Sequence, residues 1–262
     1  MRNWKEISII PTTAFLLTLL LWVAHQEKSM TTKVTPAPDF GAIKDVKVKK
    51  EKFFSYVVPL VHQSNREIRS ERAALLKITD KVNDQQTLSK REKETIEALA
   101  RKYRVTNIDP FSEEALTLLE RRIDIVPPSL ALAQAANESA WGTARFAVQG
   151  NNYFGLWCWS SDCGLVPNER AAGEKHEVST FNAPVDSVKY YMLTLNSHPA
   201  YKKLRALRSQ ARANNKPLTG TLLSDGLLSY SERGTAYIKE LRAMIRVNNL
   251  SRFNQATSTP AP

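Results

Sequence analysis

A short segment in the middle of the chain is too apolar to lie on a protein surface. A helix is predicted to begin at Ser129, and its apolar positions are Leu130, Leu132, Ala133, Ala135 and Ala136. A helix that is apolar around its whole circumference is buried, with other elements packed on every side. This one runs directly into Asn137, Glu138 and Ser139. The chain is therefore expected to fold around the helix and to hold a carboxylate at its end.

Two roles are open for the Glu138 carboxylate. In the first, the side chain lies at a partly exposed helix end and is held by Ser139 or Trp141. In the second, removal of water beside Trp141 raises the carboxyl pKa, so that the group stays protonated near neutral pH as a general acid must. Composition alone does not decide between the two roles.

Near the N-terminus, eighteen residues without a charge predict a membrane-spanning segment. The run covers residues 7–24, reads ISIIPTTAFLLTLLLWVA and follows the basic residues Arg2 and Lys5. As a helix with a rise of ~1.5 Å per residue it would extend about 27 Å, enough to cross a hydrocarbon core. A cleaved signal peptide is the competing interpretation, but a cut after Ala24 would put Trp22 where a small residue is preferred. An uncleaved anchor is favoured, with the residues after it exported.

The two cysteines of the chain agree with export. Cys158 and Cys163 stand five positions apart in the polar, turn-rich stretch WCWSSDCG. In an oxidising compartment this spacing predicts a local disulfide. A metal pair or free thiols are the alternatives, but no second cysteine pair or nearby histidine cluster completes a metal site. The sequence therefore predicts no metal centre.

The positive charge of the chain indicates an anionic partner. There are 37 Lys and Arg against 26 Asp and Glu, a formal net charge of +11. A nucleic-acid binder concentrates its basic residues on one face or arm and interleaves them with aromatic residues, whereas here the excess is spread over both halves. We therefore expect no nucleic-acid partner. Instead, we expect the chain to be attracted to an anionic membrane surface or polymer.

Composition divides the chain into segments. Apolar residues at three- and four-residue spacing predict a long amphipathic helix over residues 49–82, and Ser112 and either Thr87 or Ser89 are candidate N-caps of two more helices. Glycine, aromatic residues and short β-like pieces predict a small irregular β lobe over residues 150–181. The expected organisation is a cytoplasmic tip and transmembrane signal anchor over 1–28, a linker over 29–48, a helical N-terminal region over 49–126, a main domain over 127–250 and a disordered tail over 251–262.

An ordered series of motifs in the second half of the chain resembles glycoside hydrolase family 73, the glucosaminidases of the lysozyme superfamily. The motifs are AQAANESAWG at 133–142, RFA at 145–147, NNYFGLW at 151–157, STFNAPVDSVKYYMLTL at 179–195, HPAY at 198–201 and YSERGTAYIKELRAMI at 230–245. With the apolar run and the segment EKFFSYVVPLVHQSNREI, they make the chain similar to the bacterial Bax-like membrane-anchored proteins, which are unrelated to the apoptotic protein of that name. The resemblance implies an α+β fold, mostly α: a lysozyme-like two-lobed domain with a small β lobe, preceded by an N-terminal helical region and a membrane anchor.

The resemblance implies that Glu138 protonates the glycosidic oxygen of an N-acetylglucosaminyl bond. Glycoside cleavage usually needs a second carboxylate as base or nucleophile. In this family the second group, where present, comes from the β lobe, and the acetamido oxygen of the substrate is an alternative to it. The lobe candidates are Asp162, Glu169, Glu174 and Glu177, of which Glu169 is favoured by its place in the loop ahead of Phe181.

Several polar and aromatic residues accompany Glu138 as candidates. The family has a tyrosine ahead of its last helix, so Tyr230 is expected to bind the substrate acetamido group or water as a catalytic residue. The candidate substrate contacts are Ser139, Trp141, Asn152, Phe154, Trp157, Phe181 and Tyr237. For most of them a structural role is open as well: core or cleft-floor packing for the aromatic residues, packing on the disulfide for Trp157, and fixing of the local turn for Asn152.

The sequence therefore predicts a single-pass inner-membrane protein whose catalytic domain lies in the periplasm and hydrolyses peptidoglycan as an endo-β-N-acetylglucosaminidase. No metal or organic cofactor is expected. The expected partners are peptidoglycan glycan strands and, through residues 7–24, the inner membrane; a face of the long helix is open to a regulatory protein that the sequence does not identify. The alternatives are a lytic transglycosylase, which gives 1,6-anhydromuramyl products, and a non-enzymatic peptidoglycan-binding or scaffold protein.

Overall fold

The computed structural model of the protein describes residues 36–168, 170 and 173–255. The predicted anchor over residues 7–24 lies outside the described residues, as do Glu169 and the last part of the predicted tail. Within the described residues, no helix combines the length and the apolar character that a membrane span requires. The described residues from Ala37 onward belong to one compact unit.

Helices make up most of the described chain, with one small sheet between them. The helices are α1 (Val46–Asn83), α2 (Lys90–Lys102), α3 (Glu113–Arg122), α4 (Pro128–Glu138), α5 (Arg145–Gly150), α6 (Pro184–Ser197), α7 (Lys202–Ala213), α8 (Gly220–Leu223) and α9 (Thr235–Val247). The strands are β1 (Trp157–Cys158), β2 (Gly164–Leu165) and β3 (Glu177–Ser179), and short 3₁₀ helices lie at Pro199–Tyr201, Ser224–Gly226 and Leu250–Phe253. The predicted class, α+β and mostly α, is confirmed for these residues.

Side-chain caps set the starts of the first three helices. Asp45 accepts a backbone N–H from the first turn of α1 (3.0 Å). Ser89 and Glu92 form a capping box at the start of α2, in which each side chain accepts the backbone N–H of the other residue. The Ser112 hydroxyl accepts one backbone N–H, that of Ala115, in the first turn of α3 (3.2 Å). Such caps satisfy N–H groups that have no partner inside the helix, which is why Ser89 and Ser112 predict these boundaries correctly.

The long helix α1 is an integral part of the core. Its main neighbours include α4 and α6. The buried Asn65 exchanges two hydrogen bonds with the Val126 backbone just ahead of α4 (2.8 and 3.1 Å). The composition change predicted at residues 126 and 127 is therefore not a boundary between compact units. The buried apolar residues of α1 are Phe53, Phe54, Val57, Val61, Ile68, Leu75 and Ile78.

Part of the predicted linker over 29–48 is folded. Helix α1 begins at Val46, and Phe40 ahead of it is only 1% exposed. The Phe40 ring lies 5.5 Å from the Phe53 ring and so close to Gly142 that a Cβ at Gly142 would overlap it. The linker prediction is wrong at this end because a single aromatic residue in a polar, proline-containing stretch carries no periodic signal.

The small sheet is antiparallel, and β3 lies between β1 and β2. Val178 at its centre pairs with Trp157 of β1 and with Leu165 of β2. The buried Asn152, just after α5, donates its amide to two backbone carbonyls of this region (both 2.9 Å). The β lobe predicted over residues 150–181 is therefore confirmed, and Asn152 joins it to the helices.

A buried charge network connects the N-terminal helices to α7. Arg208 is 1% exposed and donates to the carbonyl of Asp124 (3.0 Å) and to the side chain of Asn196 (2.7 Å). The Asp124 carboxylate accepts two hydrogen bonds from Arg212 (2.8 and 3.0 Å). A buried guanidinium is stable only when its donors are satisfied, so this network ties the segment after α3 to the second half of the chain.

The predicted disordered tail over 251–262 begins too early. Phe253 packs on Phe54 of α1, with ring centroids 6.2 Å apart. The Asn254 side chain accepts the Ser129 N–H in the first turn of α4 (3.0 Å). Because α4 begins after Pro127, which has no capping side chain, Asn254 supplies from a distance the partner that the local sequence lacks.

If α1 belongs to the core, Phe53→Ala should lower the free energy of unfolding by about 3–5 kcal/mol, the usual cost of a large cavity. Urea denaturation of the full chain measures the change. The matched control on the same helix is Leu76→Ala at a 37% exposed position, where a loss below about 1 kcal/mol is expected. Equal effects of the two substitutions would contradict the integral role of α1.

Candidate active site

Glu138 is the last residue of the buried helix α4. All nine residues from Pro128 to Ala136 are buried, whereas Asn137 and Glu138 are partly exposed. The last turn of α4 contains no basic residue. A carboxylate at this end meets the negative pole of the helix, which disfavours its charged form.

A sharp turn after Ser139 separates Glu138 from the residues that follow. Ala140, Trp141 and Gly142 all take left-handed backbone angles, with φ of 47°, 62° and 79°. The Ser139 hydroxyl accepts the Gly142 N–H (2.8 Å) and donates to the carbonyl of Ala135 (2.6 Å). This turn sends Trp141 towards α1, where its ring packs, and leaves Glu138 at the open end of α4.

The two oxygens of the Glu138 carboxylate have different surroundings. Oε1 accepts a hydrogen bond of 2.7 Å from the Tyr237 hydroxyl, and the amide of Asn137 approaches it at 3.5 Å. Oε2 faces Gly155, where even an added Cβ would stay 3.6 Å away, and no described residue donates a hydrogen bond to it. One oxygen is therefore held by the protein, and the other is open to a ligand.

Burial raises the pKa of the Glu138 carboxyl above its ordinary value. The hydrogen bonds from Tyr237 and Asn137 and the charge of Arg233 oppose the rise, while the charge of Glu240 adds to it. Arg233 acts only partly on Glu138, because its guanidinium is paired with Glu240 at 2.7 Å. Desolvation prevails, so the carboxyl keeps its proton to a higher pH than an exposed glutamate does.

A chain of buried hydrogen bonds fixes the Tyr237 hydroxyl. Tyr191 donates to Oε1 of Gln134 (2.6 Å), and Nε2 of Gln134 donates to the Tyr237 oxygen (3.0 Å). Because that oxygen accepts from Gln134, its own proton is left for Glu138. Gln134, Tyr191 and Tyr237 are each 0% exposed. A fully satisfied buried network of this kind holds its groups in one arrangement.

The Glu138 carboxyl opens into a cleft of about 770 Å³ between the β lobe and the helices. Aromatic rings form much of its wall, and charged residues stand among them. The β lobe contributes Gly155, Leu156, Trp157 and Trp159, the helical part contributes Tyr190, Thr194, Tyr201 and Tyr230, and the charged or titratable residues besides Glu138 are Arg104, His198, Glu232 and Arg233.

Tyr230, the predicted catalytic tyrosine, lines the same cleft as Glu138. Its hydroxyl donates to the Phe154 carbonyl (2.9 Å), and its ring lies parallel to that of Tyr237 at a centroid distance of 5.7 Å. Burial raises the pKa of Tyr230 well above its ordinary value, so the hydroxyl stays neutral. Phe154 also lines the cleft, and its ring stacks on that of Tyr191 at 4.0 Å.

The tip of the β lobe presents two tryptophans to the cleft. Trp157 is 49% exposed and stacks on the His176 ring at 4.3 Å, and Trp159 is 73% exposed. The predicted disulfide between Cys158 and Cys163 is confirmed. It closes the loop that carries Trp159, and Trp157 lies directly ahead of that loop. Exposed aromatic side chains of this kind are suited to stacking on a sugar ring.

Among the described residues, one group of three side chains is close enough to share a metal ion: Cys158, Cys163 and Glu177. Both sulfurs are consumed by the disulfide. The Glu177 carboxylate accepts backbone N–H groups from Asp162 (3.3 Å) and Gly164 (2.8 Å). These residues fit a structural role in the loop and not a metal centre.

Five predicted substrate contacts do not line the cleft, and one of them, the buried Tyr237, acts on the site only through its hydrogen bond to Glu138. Ser139 is 0% exposed and serves the turn after α4. Trp141 packs on Phe53 and Phe54 of α1. Asn152 spends its amide on backbone groups of the lobe. Phe181 lines a separate cavity of about 380 Å³ beside α1 and α6.

The candidates for a second carboxylate differ in their surroundings. Glu169, the favoured one, lies outside the described residues. Asp162 and Glu174 are exposed in the lobe, and Glu177 is occupied by backbone groups. The structure adds one carboxylate that the sequence reasoning missed, Glu232, which lines the cleft.

Sequence reasoning also missed Gln134, Arg104 and Arg233. Gln134 stands four positions before Glu138, on the same side of the helix, and a buried polar residue at that spacing was the available signal. Arg233 follows Tyr230 within a recognised motif. For Arg104 there was no local signal, because its approach to the cleft depends on how α2 packs.

Comparison with known proteins agrees with the geometry of the cleft. A family model described as Glucosaminidase, mannosyl-glycoprotein endo-beta-N-acetylglucosaminidase, matches residues 114–250. The chain is also similar to Protein bax of Escherichia coli (strain K12): 32% of 231 aligned residues are identical, covering 86% of this chain and 79% of that protein. No solved structure gives a significant match.

Removal of the Tyr237 hydroxyl should raise the pKa of Glu138 further. A hydrogen bond to a charged group contributes about 1.5–3 kcal/mol and one pKa unit corresponds to about 1.4 kcal/mol, so we expect Tyr237→Phe to raise the pKa by about one to two units. Carbon-13 NMR titration of the Glu138 carboxyl measures the shift.

The matched control is Tyr191→Phe, which removes a hydroxyl from the same network without touching Glu138. Both variants leave a Gln134 group without its partner and should lose similar stability, by about 1–3 kcal/mol. Only Tyr237→Phe should change the pKa of the Glu138 carboxyl. An equal shift in both variants would show that general loosening, and not the direct hydrogen bond, sets the pKa.

Proposed function

The chain belongs to the glucosaminidase family, in its Bax-like group, and on that premise we propose that it is a peptidoglycan hydrolase, an endo-β-N-acetylglucosaminidase. The family supports a glycoside hydrolase-like enzyme with a peptidoglycan-related substrate. The observation that carries the specific proposal is Glu138, a carboxyl of raised pKa that opens into an aromatic cleft.

Glu138 acts as the general acid. Because Tyr237 donates to Oε1, the proton of the neutral carboxyl belongs on Oε2, the oxygen that is open to the cleft. From there it passes to the oxygen of the bond between N-acetylglucosamine and the next sugar as that bond breaks. The carboxylate that remains is stabilised by the Tyr237 hydrogen bond, so the same contact that holds the acid also favours its product.

A second group must then stabilise the positive sugar carbon and direct water to it. We propose Glu169 for this role, with the substrate acetamido oxygen as the alternative. Tyr230 lines the cleft beside Glu138, and Glu232 is a further carboxylate on its wall. The neutral Tyr230 hydroxyl is suited to holding the acetamido group, once it exchanges its hydrogen bond to the Phe154 carbonyl.

The aromatic residues of the cleft support a sugar polymer as substrate. Trp157 and Trp159 expose ring faces at one wall, and Tyr201 and Tyr230 belong to the other. Apolar sugar faces pack on such rings, while ring hydroxyls need the polar groups between them. The net charge of +11 suits a polymer that bears carboxylates on its peptides.

The proposed location is the inner membrane, with residues 7–24 as a single-pass anchor and the cleft in the periplasm. The uncharged run behind Arg2 and Lys5 supports the anchor. The Cys158–Cys163 disulfide supports an oxidising compartment.

Glu138→Gln should lower the rate of peptidoglycan hydrolysis by about 10²–10⁴-fold, the usual contribution of a general acid. Glutamine keeps the shape of the side chain and still accepts from Tyr237, so folding should be preserved. The measurement is the release of soluble fragments, with mass spectrometry of the new ends. Full activity of Glu138→Gln would refute the assignment.

The products separate hydrolysis from its rivals. A reducing N-acetylglucosamine end supports the proposal, whereas a 1,6-anhydromuramyl end would identify a lytic transglycosylase. Glycan binding without cleavage by both the wild type and Glu138→Gln would identify a scaffold or binding protein.

The second carboxylate is tested by Glu169→Gln beside Glu232→Gln, with the exposed Glu174→Gln as control. We expect a loss of about 10²–10⁴-fold in kcat for Glu169→Gln alone. Near-normal activity of all three variants would contradict the role of Glu169 and favour the substrate acetamido oxygen. A large loss in Glu232→Gln instead would transfer the role to that residue.

A further inference from the structure

One end of the cleft holds cations that have no acidic partner. Arg104 and His198 line the cleft, and Arg122 and Arg205 lie directly behind them; we call these four residues the arginine end. Elsewhere in the described chain Arg212 pairs with Asp124. By contrast, Arg104, Arg122 and Arg205 form no ion pair with any carboxylate that the structure describes.

The backbone places Arg104 firmly at this end. Helix α2 ends just before it, and Arg104 takes a left-handed conformation with φ of 60°. Its N–H donates to the Arg101 carbonyl (3.2 Å), and its own carbonyl accepts from the guanidinium of Arg122 (2.7 Å). The peptide is thus held on both sides while the side chain stays exposed in the cleft.

Arg205 supports the His198 side of the arginine end. It is 7% exposed and donates to the carbonyls of Leu195 (2.9 Å) and His198 (2.8 Å). Burial and the charge of Arg122 lower the pKa of Arg205 to about 10, so it remains a cation at neutral pH. These two carbonyls accept hydrogen bonds from one nitrogen of the guanidinium but do not neutralise its charge.

His198 is a neutral hydrogen-bond donor here. Burial and the charges of Arg104 and Arg205 lower its pKa, so it does not add a charge at neutral pH. Its Nδ1 accepts the Ala200 N–H (3.3 Å), which leaves the proton of the neutral ring on Nε2. The arginine end therefore offers one exposed guanidinium and one ring N–H above buried positive charge.

We propose that the arginine end binds a carboxylate of the peptide stem of peptidoglycan while the glycan lies against Glu138. This inference rests on the proposed function and assigns to it a subsite for the substrate's charge. A guanidinium binds a carboxylate through two parallel hydrogen bonds, and uncompensated positive charge behind it strengthens the attraction. The subsite selects peptide-bearing strands over bare glycan.

The proposal gives the N-terminal helices a role in substrate selection. The family match covers residues 114–250, and Arg104 lies before it, at the end of α2. The only cleft-lining residue from this N-terminal part of the described chain is Arg104. The helices thus add a specificity residue to the cleft as well as packing against the core.

Substitution of Arg104 tests the subsite. Arg104→Asn removes the charge and suits the left-handed backbone, which asparagine tolerates well. Arg101→Gln is the matched control, since Arg101 lies three positions earlier in the last turn of α2, with its side chain 70% exposed and paired with Glu97. The kinetics of the full chain in detergent are compared on three forms of the same glycan strands.

The three substrates are native strands, strands whose peptide carboxylates have been converted to neutral amides with a carbodiimide and ammonia, and strands from which an amidase has removed the peptides. We expect Arg104→Asn to lose about tenfold in kcat/KM on native strands, mainly through a higher KM. The reason is that water replaces the hydrogen bonds between the guanidinium and the carboxylate, and a loss of about tenfold is typical for a charged hydrogen bond. On neutralised strands the variant should equal the wild type. Arg101→Gln should equal the wild type on all three.

The amidase-treated strands separate two sources of the carboxylate, because amide cleavage frees the lactyl carboxyl of the muramyl sugar. A tenfold loss that disappears on these strands supports a stem-peptide carboxylate. A loss that persists there means that the arginine end also binds the freed lactyl carboxylate, and it overturns the selection of peptide-bearing strands over bare glycan. Equal kcat/KM of Arg104→Asn and wild type on native strands overturns the subsite altogether.

Failure of the proposed function gives a different result. In that case the wild type cleaves none of the strands, and binding of native and neutralised strands to wild type and Arg104→Asn is measured by sedimentation. The subsite would still be supported if Arg104→Asn binds native strands about tenfold more weakly than the wild type and the two proteins bind neutralised strands equally. Equal binding by the two proteins would overturn it.

Discussion

The burial of α4 is the constraint on which the rest of the structure depends. Nine consecutive residues of this helix are buried, so α1, the 3₁₀ helix at Leu250–Phe253 and α9 must all pack against it. The helix ends where the fold opens, and its last residue is Glu138. The raised pKa of that carboxyl therefore follows from the same packing that stabilises the core, because water is excluded from one side of it.

A single chain of hydrogen bonds converts this packing into chemistry. Tyr191, Gln134 and Tyr237 are buried side chains from α6, α4 and α9, and together they present one hydroxyl proton to Glu138. Three elements of secondary structure thus determine the orientation of one carboxyl. The cleft beyond it is lined by this acid and by the arginine end, to which the N-terminal helices contribute Arg104.

Much of this arrangement could be predicted because its signals are local. Ser89 and Ser112 begin helices by capping their own first turns, and Cys158 and Cys163 are too close in sequence to need the fold to bring them together. Phe181 and Trp141 were wrongly predicted to contact the substrate, because their positions depend on contacts between distant parts of the chain. Trp141 lies within a left-handed turn that points it at α1, and nothing in the sequence around it specifies the direction of that turn.

The sequence by itself determined that a buried helix ends in a carboxylate, that a small β lobe follows it and that two cysteines close a loop of that lobe. It did so because hydrophobic pattern, capping residues and short loops act over a few neighbouring positions. Only the tertiary structure decided which residues face Glu138. Tyr237 lies 99 positions from Glu138, and Arg104 reaches the cleft from the turn after α2. Their positions depend on how helices pack, which no local pattern encodes.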